Sequence, residues 1–159
     1  DLHSFPTRRS SDLAIKDFSG TAVVAGQCLS LAQNNASETV LVLGSDASGV
    51  YGLAKETVNG SANVNEVKDL GGYGIFGSGK ITACIFGVYE VKNFNYTTSD
   101  GTPVEFKAIA SLTDASMVPG AILGSDASGC IAAVAADATS AFGSLIAVNE
   151  DTIQVKIGF

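Results

Sequence analysis

Short runs of β-forming residues, bounded by Gly, Asn, Asp or Ser, recur along the chain and limit its fold more than any other feature. No window shows the sustained i, i+3, i+4, i+7 apolar pattern with capping residues that predicts an amphipathic helix. Spacing of this kind is typical of a β-sandwich or a small β-barrel. We therefore expect an all-β fold made of such modules. The predicted strands cover residues 21–25, 27–32, 39–43, 49–54, 80–92, 102–110, 120–123, 130–135, 142–148 and 152–157.

The stretch 80–92, KITACIFGVYEVK, is the clearest of these strands. Its second half alternates apolar and polar residues, and Gly87 inside it predicts a bulge or a sharp bend between two strand segments. The Ala-rich stretch 132–141 leaves one alternative open. Its helix propensity favours a short helix there instead of a strand.

The heptapeptide LGSDASG occurs twice, at residues 43–49 and again at 123–129. Apolar pairs flank both copies, so each copy predicts a β-hairpin turn. In such a turn Asp46 or Asp126 binds nearby backbone N–H groups, and Gly49 or Gly129 adopts a positive φ. The repeat predicts two modules related by internal duplication, and the alternative is one turn solution used twice. The expected division of the chain is 14–70 as the first β module, 71–101 as a connecting β-hairpin region and 102–159 as the second β module.

The first thirteen residues, DLHSFPTRRSSDL, differ in composition from the rest of the chain. They contain both arginines and the only histidine. All thirteen positions resemble the conceptual translation of a common short-read sequencing adapter. We therefore expect residues 1–13 to be an assembly artefact that takes no part in the fold. The alternative is a genuine basic N-terminal arm.

Composition argues against two classes of partner. Sixteen Asp plus Glu against nine Lys plus Arg give a net charge of −7, which is the wrong sign for binding phosphate backbones. We expect no nucleic acid as a partner. The apolar runs are interrupted well before the roughly 18 residues that a spanning helix needs, so we expect no membrane partner either.

Few arrangements of residues suited to catalysis are present, and we do not expect an enzyme. From residue 14 onward the chain has no His, which excludes Ser-His-Asp and Cys-His arrangements there. Cys28, Cys84 and Cys130 form no C-x-x-C pair, and we expect them to be buried free thiols. The alternative is a single disulfide between two of them. We expect no cofactor. We also expect no metal ion, because the turns around Asp46 and Asp126 lack the ligand pattern of a calcium loop.

One segment imitates a phosphate-binding loop. Residues 74–80, GIFGSGK, fit the first seven positions of the G-x-x-x-x-G-K-[ST] pattern, but Ile81 stands where a hydroxyl would bind Mg²⁺. A glycine turn with a solvated lysine explains the segment without a nucleotide. Ser78 and Lys80 also suggest a hydrolase on a β scaffold, although a Ser-Lys pair needs a shaped turn and a desolvated lysine.

Four segments carry a resemblance in pattern: VLVLGSDASGVYGLA at 40–54, GKITACIFGVYEV at 79–91, DGTPVEF at 100–106, and the ending 120–157. Together they resemble the small β-barrel or β-sandwich virion proteins of tailed bacteriophages, namely capsid decoration proteins and head-fibre or tail-fibre modules. The resemblance implies a virion component that assembles in the host cytoplasm. Its expected partners are the capsid protein or further copies of itself, a trimer among them.

Two other functions stay open beside capsid decoration: a fibre module that binds a host surface glycan, and the β-scaffold hydrolase. If binding relies on buried surface, apolar side chains are the expected contacts. Candidate interface residues are Val50, Tyr51, Ile75 and Phe76. The alternative is that these side chains face the core, as aromatic and aliphatic residues in β runs usually do.

Overall fold

Every regular element in the described part of the chain is a β-strand. The computed structural model describes residues 12–20, 22–59, 80–97 and 99–159. Because the regular elements of these residues are all strands, the all-β prediction is confirmed. The strands are β1 (Leu13–Asp17), β2 (Ala22–Val23), β3 (Cys28–Gln33), β4 (Thr39–Leu43), β5 (Gly52–Ala54), β6 (Val58–Asn59), β7 (Lys80–Cys84), β8 (Gly87–Lys92), β9 (Phe94–Thr97), β10 (Pro103–Phe106), β11 (Ile122–Ser125), β12 (Ile131–Ala133), β13 (Gly143–Val148) and β14 (Thr152–Ile157).

Two five-stranded antiparallel sheets form the fold. Sheet I has the strand order β1-β7-β5-β3-β4, and sheet II has the order β12-β11-β13-β14-β8. Two small ladders, β2-β6 and β9-β10, accompany them. The arrangement is sandwich-like and is not a closed barrel, so the structure selects the first of the two expected architectures.

The helix considered for 132–141 is wrong, because strand pairing prevails over alanine propensity there. Ile131–Ala133 pairs with β11. The Val134 amide then donates to the Ile122 carbonyl at 2.9 Å. Two tight turns follow: the Ala138 amide donates to the Ala135 carbonyl, and the Ala141 amide donates to the Ala138 carbonyl.

The two outer strands of sheet I approach each other at one point. Phe18 forms an isolated parallel bridge with Leu41, and the Ser19 amide donates to the Leu41 carbonyl at 2.9 Å. The sheet curls around a small core of its own because of this contact. That core consists of Phe18, Val23, Leu29, Leu41, Ala54, Ile81 and Ala83.

Asn93 closes a similar gap in sheet II. Its side chain follows edge strand β8, and its Oδ1 accepts the backbone N–H groups of Ala108 and Ile109 at 2.7 and 2.8 Å. Ile109 in turn bridges to Ile131 at the start of the opposite edge strand, β12. Segment 108–110 therefore links the two edges of sheet II.

A larger core lies between the sheets and is shared by both. Sheet I contributes Cys28, Leu53 and Cys84, and sheet II contributes residues such as Tyr89 and Ile153. All of these side chains are almost completely buried. The two sheets are therefore packed against each other through side chains of both.

The described part of the region 71–101 is divided between the sheets. Lys80–Cys84 belongs to sheet I and Gly87–Lys92 to sheet II, so these two strands do not pair as a hairpin. Gly87, with φ +115°, lies at the bend between them, as predicted. The hairpin that does form pairs β9 with β10 and crosses the expected boundary at residue 101. Residues 60–79 lie outside the described residues.

Strand β1 begins one residue before the expected start of the native chain. Leu13 pairs with Cys84, and the Asp12 carbonyl accepts the Ile85 amide at 2.9 Å. Leu13 therefore belongs to sheet I, and Asp12 bonds to the residue that directly follows β7. The other expected artefact residues, 1–11, lie outside the described residues.

Candidate functional site

The two copies of the repeated heptapeptide meet at Cys28. The Cys28 amide donates to the Gly129 carbonyl of the second copy at 2.8 Å, and the Cys28 carbonyl accepts the Gly44 amide of the first copy at 2.8 Å. We call Cys28, Gly44 and Gly129 the Cys28 junction. It joins sheet I to the turn between β11 and β12 of sheet II through the backbone bond from Cys28 to Gly129.

The end of strand β4 explains this geometry. The β3–β4 ladder pairs Leu29 with Leu43, so the next position along β4, Gly44, lies opposite Cys28. Gly44 donates its N–H as the ladder requires, but the acceptor for the Cys28 amide is the Gly129 carbonyl. The second copy thus completes the backbone pairing of the first sheet.

Both glycines are required by close approach. A Cβ on Gly129 would lie 2.6 Å from Leu43 Cδ1, and a Cβ on Gly44 would lie 2.9 Å from the Cys28 carbonyl oxygen. Gly129 also has φ +84°, a conformation that glycine adopts readily and other residues rarely do. A larger residue at Gly129 would press against the end of β4 in sheet I, and one at Gly44 would press against β3 within its own sheet.

Gln27 extends the junction with side-chain bonds. Its Nε2 donates to the Ser128 carbonyl at 3.3 Å and contacts the Cys130 Sγ at 3.7 Å. Its Oε1 accepts the Val24 amide at 2.7 Å. A buried amide that uses both ends in this way orients the turn of sheet II against strand β3.

Two thiols lie at this junction. The Cys28 thiol donates to the Gly124 carbonyl at 4.0 Å, and the Cys130 thiol donates to the Lys107 carbonyl at 3.3 Å. Burial raises the pKa of Cys28, and the neighbouring charges of Cys130 and Asp126 raise it further, while a hydrogen bond from Ser125 acts in the opposite direction. Burial is also the main reason why the pKa of Cys130 is raised.

Raised pKa values leave these thiols protonated near neutral pH, so they are poor nucleophiles. Cys84 is buried as well, and all three cysteines are free. This confirms the prediction of buried free thiols. The junction therefore holds the sheets together and offers no activated sulfur.

The second heptapeptide forms the turn that the sequence predicts. Asp126 Oδ1 accepts the backbone N–H groups of Ser128 and Cys130 at 2.9 and 2.8 Å. The turn joins β11 to β12, which are paired, and Gly129 has the predicted positive φ.

The first heptapeptide does not form a hairpin, so for this copy the prediction is wrong. It connects β4 to β5, and β3 lies between those two strands in sheet I. Serines organise this connection: Ser45 Oγ accepts the Ala47 amide at 3.3 Å, and the hydroxyls of Ser45 and Ser48 are 3.1 Å apart. Asp46 and Gly49 are exposed, and among the described glycines Gly49 is not one with a positive φ. The connection must cross the end of β3, which a two-strand turn cannot do.

The predicted interface residues lie in different surroundings. Val50 is half-buried against the core between the sheets, and Tyr51 is half-buried against the core of sheet I. Lys16 Nζ lies 5.7 Å from the centre of the Tyr51 ring. The other two candidates, Ile75 and Phe76, lie outside the described residues.

Lys80, which suggested nucleotide binding and Ser-Lys hydrolysis, forms an exposed ion pair. Its Nζ lies 2.7 Å from Asp17 Oδ1, across the β1–β7 ladder. Ser78 and the rest of the glycine-rich segment lie outside the described residues. Half of this lysine side chain is in solvent, unlike the desolvated lysine that a Ser-Lys pair needs.

Sequence reasoning missed the apolar side chains that the surface does expose. Phe86 is 49% exposed and Phe159 is 79% exposed. The Phe86 ring approaches Gly158, where a Cβ would lie 3.1 Å from the ring. The Phe86 backbone carbonyl accepts the Tyr89 hydroxyl at 2.7 Å. The sequence feature that could have indicated the exposure of Phe86 is its position directly before Gly87, at the predicted bend. The other large exposed apolar residues described are Ile15, Leu31, Leu43, Val118 and Ile146.

Within the described ranges, no group of three or more His, Cys, Asp or Glu side chains is arranged to bind a metal ion. The same residues include no helix suited to cross a membrane. No protein-family model matches this chain, and no curated protein matches it.

Proposed function

We propose that this chain is a non-enzymatic structural protein of a phage virion that binds the outside of the capsid through protein–protein contacts. The proposal rests on the pattern resemblance described above and on one feature of the structure. That feature is Phe86, a half-exposed aromatic ring at the bend where the chain passes from sheet I to sheet II.

The position of Phe86 suits a contact residue. Its backbone is held by the bond from the Tyr89 hydroxyl and by the strands on both sides, so little backbone entropy is lost when the ring is covered. Aromatic side chains, Phe among them, are enriched at protein–protein interfaces, where a few central residues carry most of the binding energy. Phe86 therefore replaces Val50 and Tyr51 as the first candidate for the contact.

Charge supports the same type of partner. The net charge of −7 would attract the chain toward a basic surface and repel it from nucleic acid inside the shell. An acidic protein with an aromatic contact suits a complementary patch on the outside of a capsid.

The test is co-sedimentation of the purified chain with undecorated capsids of its own phage. We expect binding, and we expect Phe86→Ser to weaken it by about tenfold or more, as loss of a central aromatic contact does. Leu31→Ser is the matched control, because it removes another exposed apolar side chain from the outer part of sheet I.

Two results would contradict the proposal. Specific binding to host cells or polysaccharide without co-sedimentation would favour the fibre module, and turnover of an ester, peptide or glycoside would favour the hydrolase. Equal binding of the wild-type chain and Phe86→Ser to capsids would leave decoration in place and exclude Phe86 as the contact.

A further inference from the structure

We propose that Asp100 is a site of spontaneous modification, at which the aspartate closes onto the Gly101 amide and reopens as isoaspartate. Both residues lie in the turn that joins β9 to β10, close to the Thr97–Pro103 pair. Both are exposed, so water reaches the turn. The modification needs no enzyme and no cofactor, because the main chain supplies the nucleophile and the side chain supplies the electrophile.

The Asp100 carboxyl is held beside the Gly101 amide. Asp100 Oδ1 accepts the Thr102 amide at 3.0 Å, and the hydrogen-bonded ring that results contains the peptide bond between Asp100 and Gly101. The Gly101 N–H itself donates to no acceptor among the residues that the structure describes. The two reacting groups are therefore close together, and the attacking amide does not first have to give up a hydrogen bond.

Glycine at position 101 removes a steric barrier to the reaction. Gly101 has φ +87°, and a Cβ built there would meet nothing within 4 Å, so the turn is open on this side. A side chain on the residue after an aspartate shields the amide nitrogen and restricts the main-chain rotation that ring closure needs. Asp100 is the only aspartate of the chain that a glycine follows.

Two other turns with the same hydrogen bond provide internal comparisons. Asp114 Oδ1 accepts the Ser116 amide at 2.9 Å, and Asp126 Oδ1 accepts the Ser128 amide at 2.9 Å. Alanine follows both aspartates. Asp114 is also exposed, so it matches Asp100 in its hydrogen bond and its exposure and differs in the residue that follows.

The reaction balances without an oxidant or a reductant. The Gly101 nitrogen attacks Cγ of the protonated Asp100 carboxyl, a new C–N bond forms, and the carboxyl hydroxyl leaves as water with the amide proton. The product is a cyclic imide. Water then adds to one of its two carbonyl carbons and breaks one C–N bond. Addition at Cγ restores aspartate, whereas addition at the main-chain carbon leaves the chain connected through Cγ, which is isoaspartate.

Isoaspartate would change the β9–β10 hairpin. The Cβ of Asp100 enters the main chain, and the former main-chain carbonyl carbon becomes a side-chain carboxylate, so the turn between Thr97 and Pro103 gains one atom. Among the described strands β9 and β10 pair only with each other, and an isolated two-stranded hairpin has marginal stability. The pairing nearest the turn should therefore loosen as the protein ages. This chemistry does not depend on the function proposed above.

The experiment incubates the full chain for several weeks in neutral buffer, while circular dichroism verifies that it stays folded. Isoaspartate in proteolytic peptides is detected by an isoaspartyl methyltransferase and located by electron-transfer fragmentation. We expect it at Asp100, formed about tenfold or more faster than at Asp114. Deamidation of a neighbouring residue such as Asn95 raises the peptide mass, whereas isomerisation leaves the mass unchanged, so the two reactions are distinguished.

Two variants test the role of the following residue. Gly101→Ala should suppress isoaspartate at Asp100, and Ala115→Gly should create a second site at Asp114. If Gly101→Ala does not fold, the comparison of Asp100 with Asp114 in the wild-type chain decides alone. Equal rates at Asp100 and Asp114, no new site in Ala115→Gly, or isoaspartate that forms only after unfolding in urea would each overturn the proposal.

Discussion

At the scale of single residues, the two final glycines of the repeated heptapeptide have different roles. Gly129 has a positive φ and no room for a Cβ, whereas Gly49 has open space around it. We expect Gly129→Ala to lower the free energy of unfolding by about 1–3 kcal/mol through backbone strain and contact with Leu43. Gly49→Ala should stay within about 0.5 kcal/mol. Urea denaturation measures both, and equal losses would show that the two copies are equivalent after all.

Also at this scale, the buried thiols should make stability depend on alkaline pH. Burial raises the pKa of Cys28 in the folded chain, so the unfolded chain releases this proton first. The stabilisation is complete below the unfolded pKa, about 8.5, and is lost as pH rises above it, at up to about 1.4 kcal/mol per pH unit. Urea midpoints at about pH 7 and pH 10 test this. Cys28→Ala should reduce the dependence, and an unchanged dependence would contradict the assignment.

At the scale of elements, Asn93 replaces a missing strand pair at the edge of sheet II. It accepts two backbone N–H groups and donates to the Ile109 carbonyl, so truncation leaves buried donors without partners. We expect Asn93→Ala to cost about 2–4 kcal/mol in unfolding free energy. Asn95→Ala, at an exposed position of β9, is the control and should change stability by less than about 0.5 kcal/mol. A small effect of both changes would mean that segment 108–110 is held by other contacts.

The sequence predicts an element well when the residues that determine it are neighbours in the chain. Strands β4 and β14 have the predicted bounds, and the bend at Gly87 was visible because glycine interrupts an alternating pattern. Strand β1 was missed because its burial comes from pairing with β7, which no local pattern reveals. The hairpin predicted at the first heptapeptide was wrong for a related reason. Its turn residues are local, but the position of β3 between the two flanking strands is a property of the whole sheet.

In the candidate site too, features set by neighbouring residues were predicted, whereas contacts between distant residues were not. Burial of the three thiols followed from their apolar neighbours, and the Asp126 turn followed from its own residues. The meeting of Gly44 with Gly129 at Cys28 joins residues from distant parts of the chain, and a repeat in sequence does not say that its copies touch. Tyr51 was a reasonable contact candidate by residue type, but packing places it half-buried against the core of sheet I.

At the scale of the whole molecule, sheets I and II form one unit held at the Cys28 junction. Native-state amide hydrogen exchange measures whether the two sheets open together. The Cys28 amide, which donates to Gly129 of the other sheet, should exchange with the same opening free energy as the Ile131 amide inside sheet II, which donates to Ala108. If the Cys28 amide instead exchanges as fast as the exposed turn amide of Ala36 while Ile131 stays protected, the two sheets open independently and are not one unit.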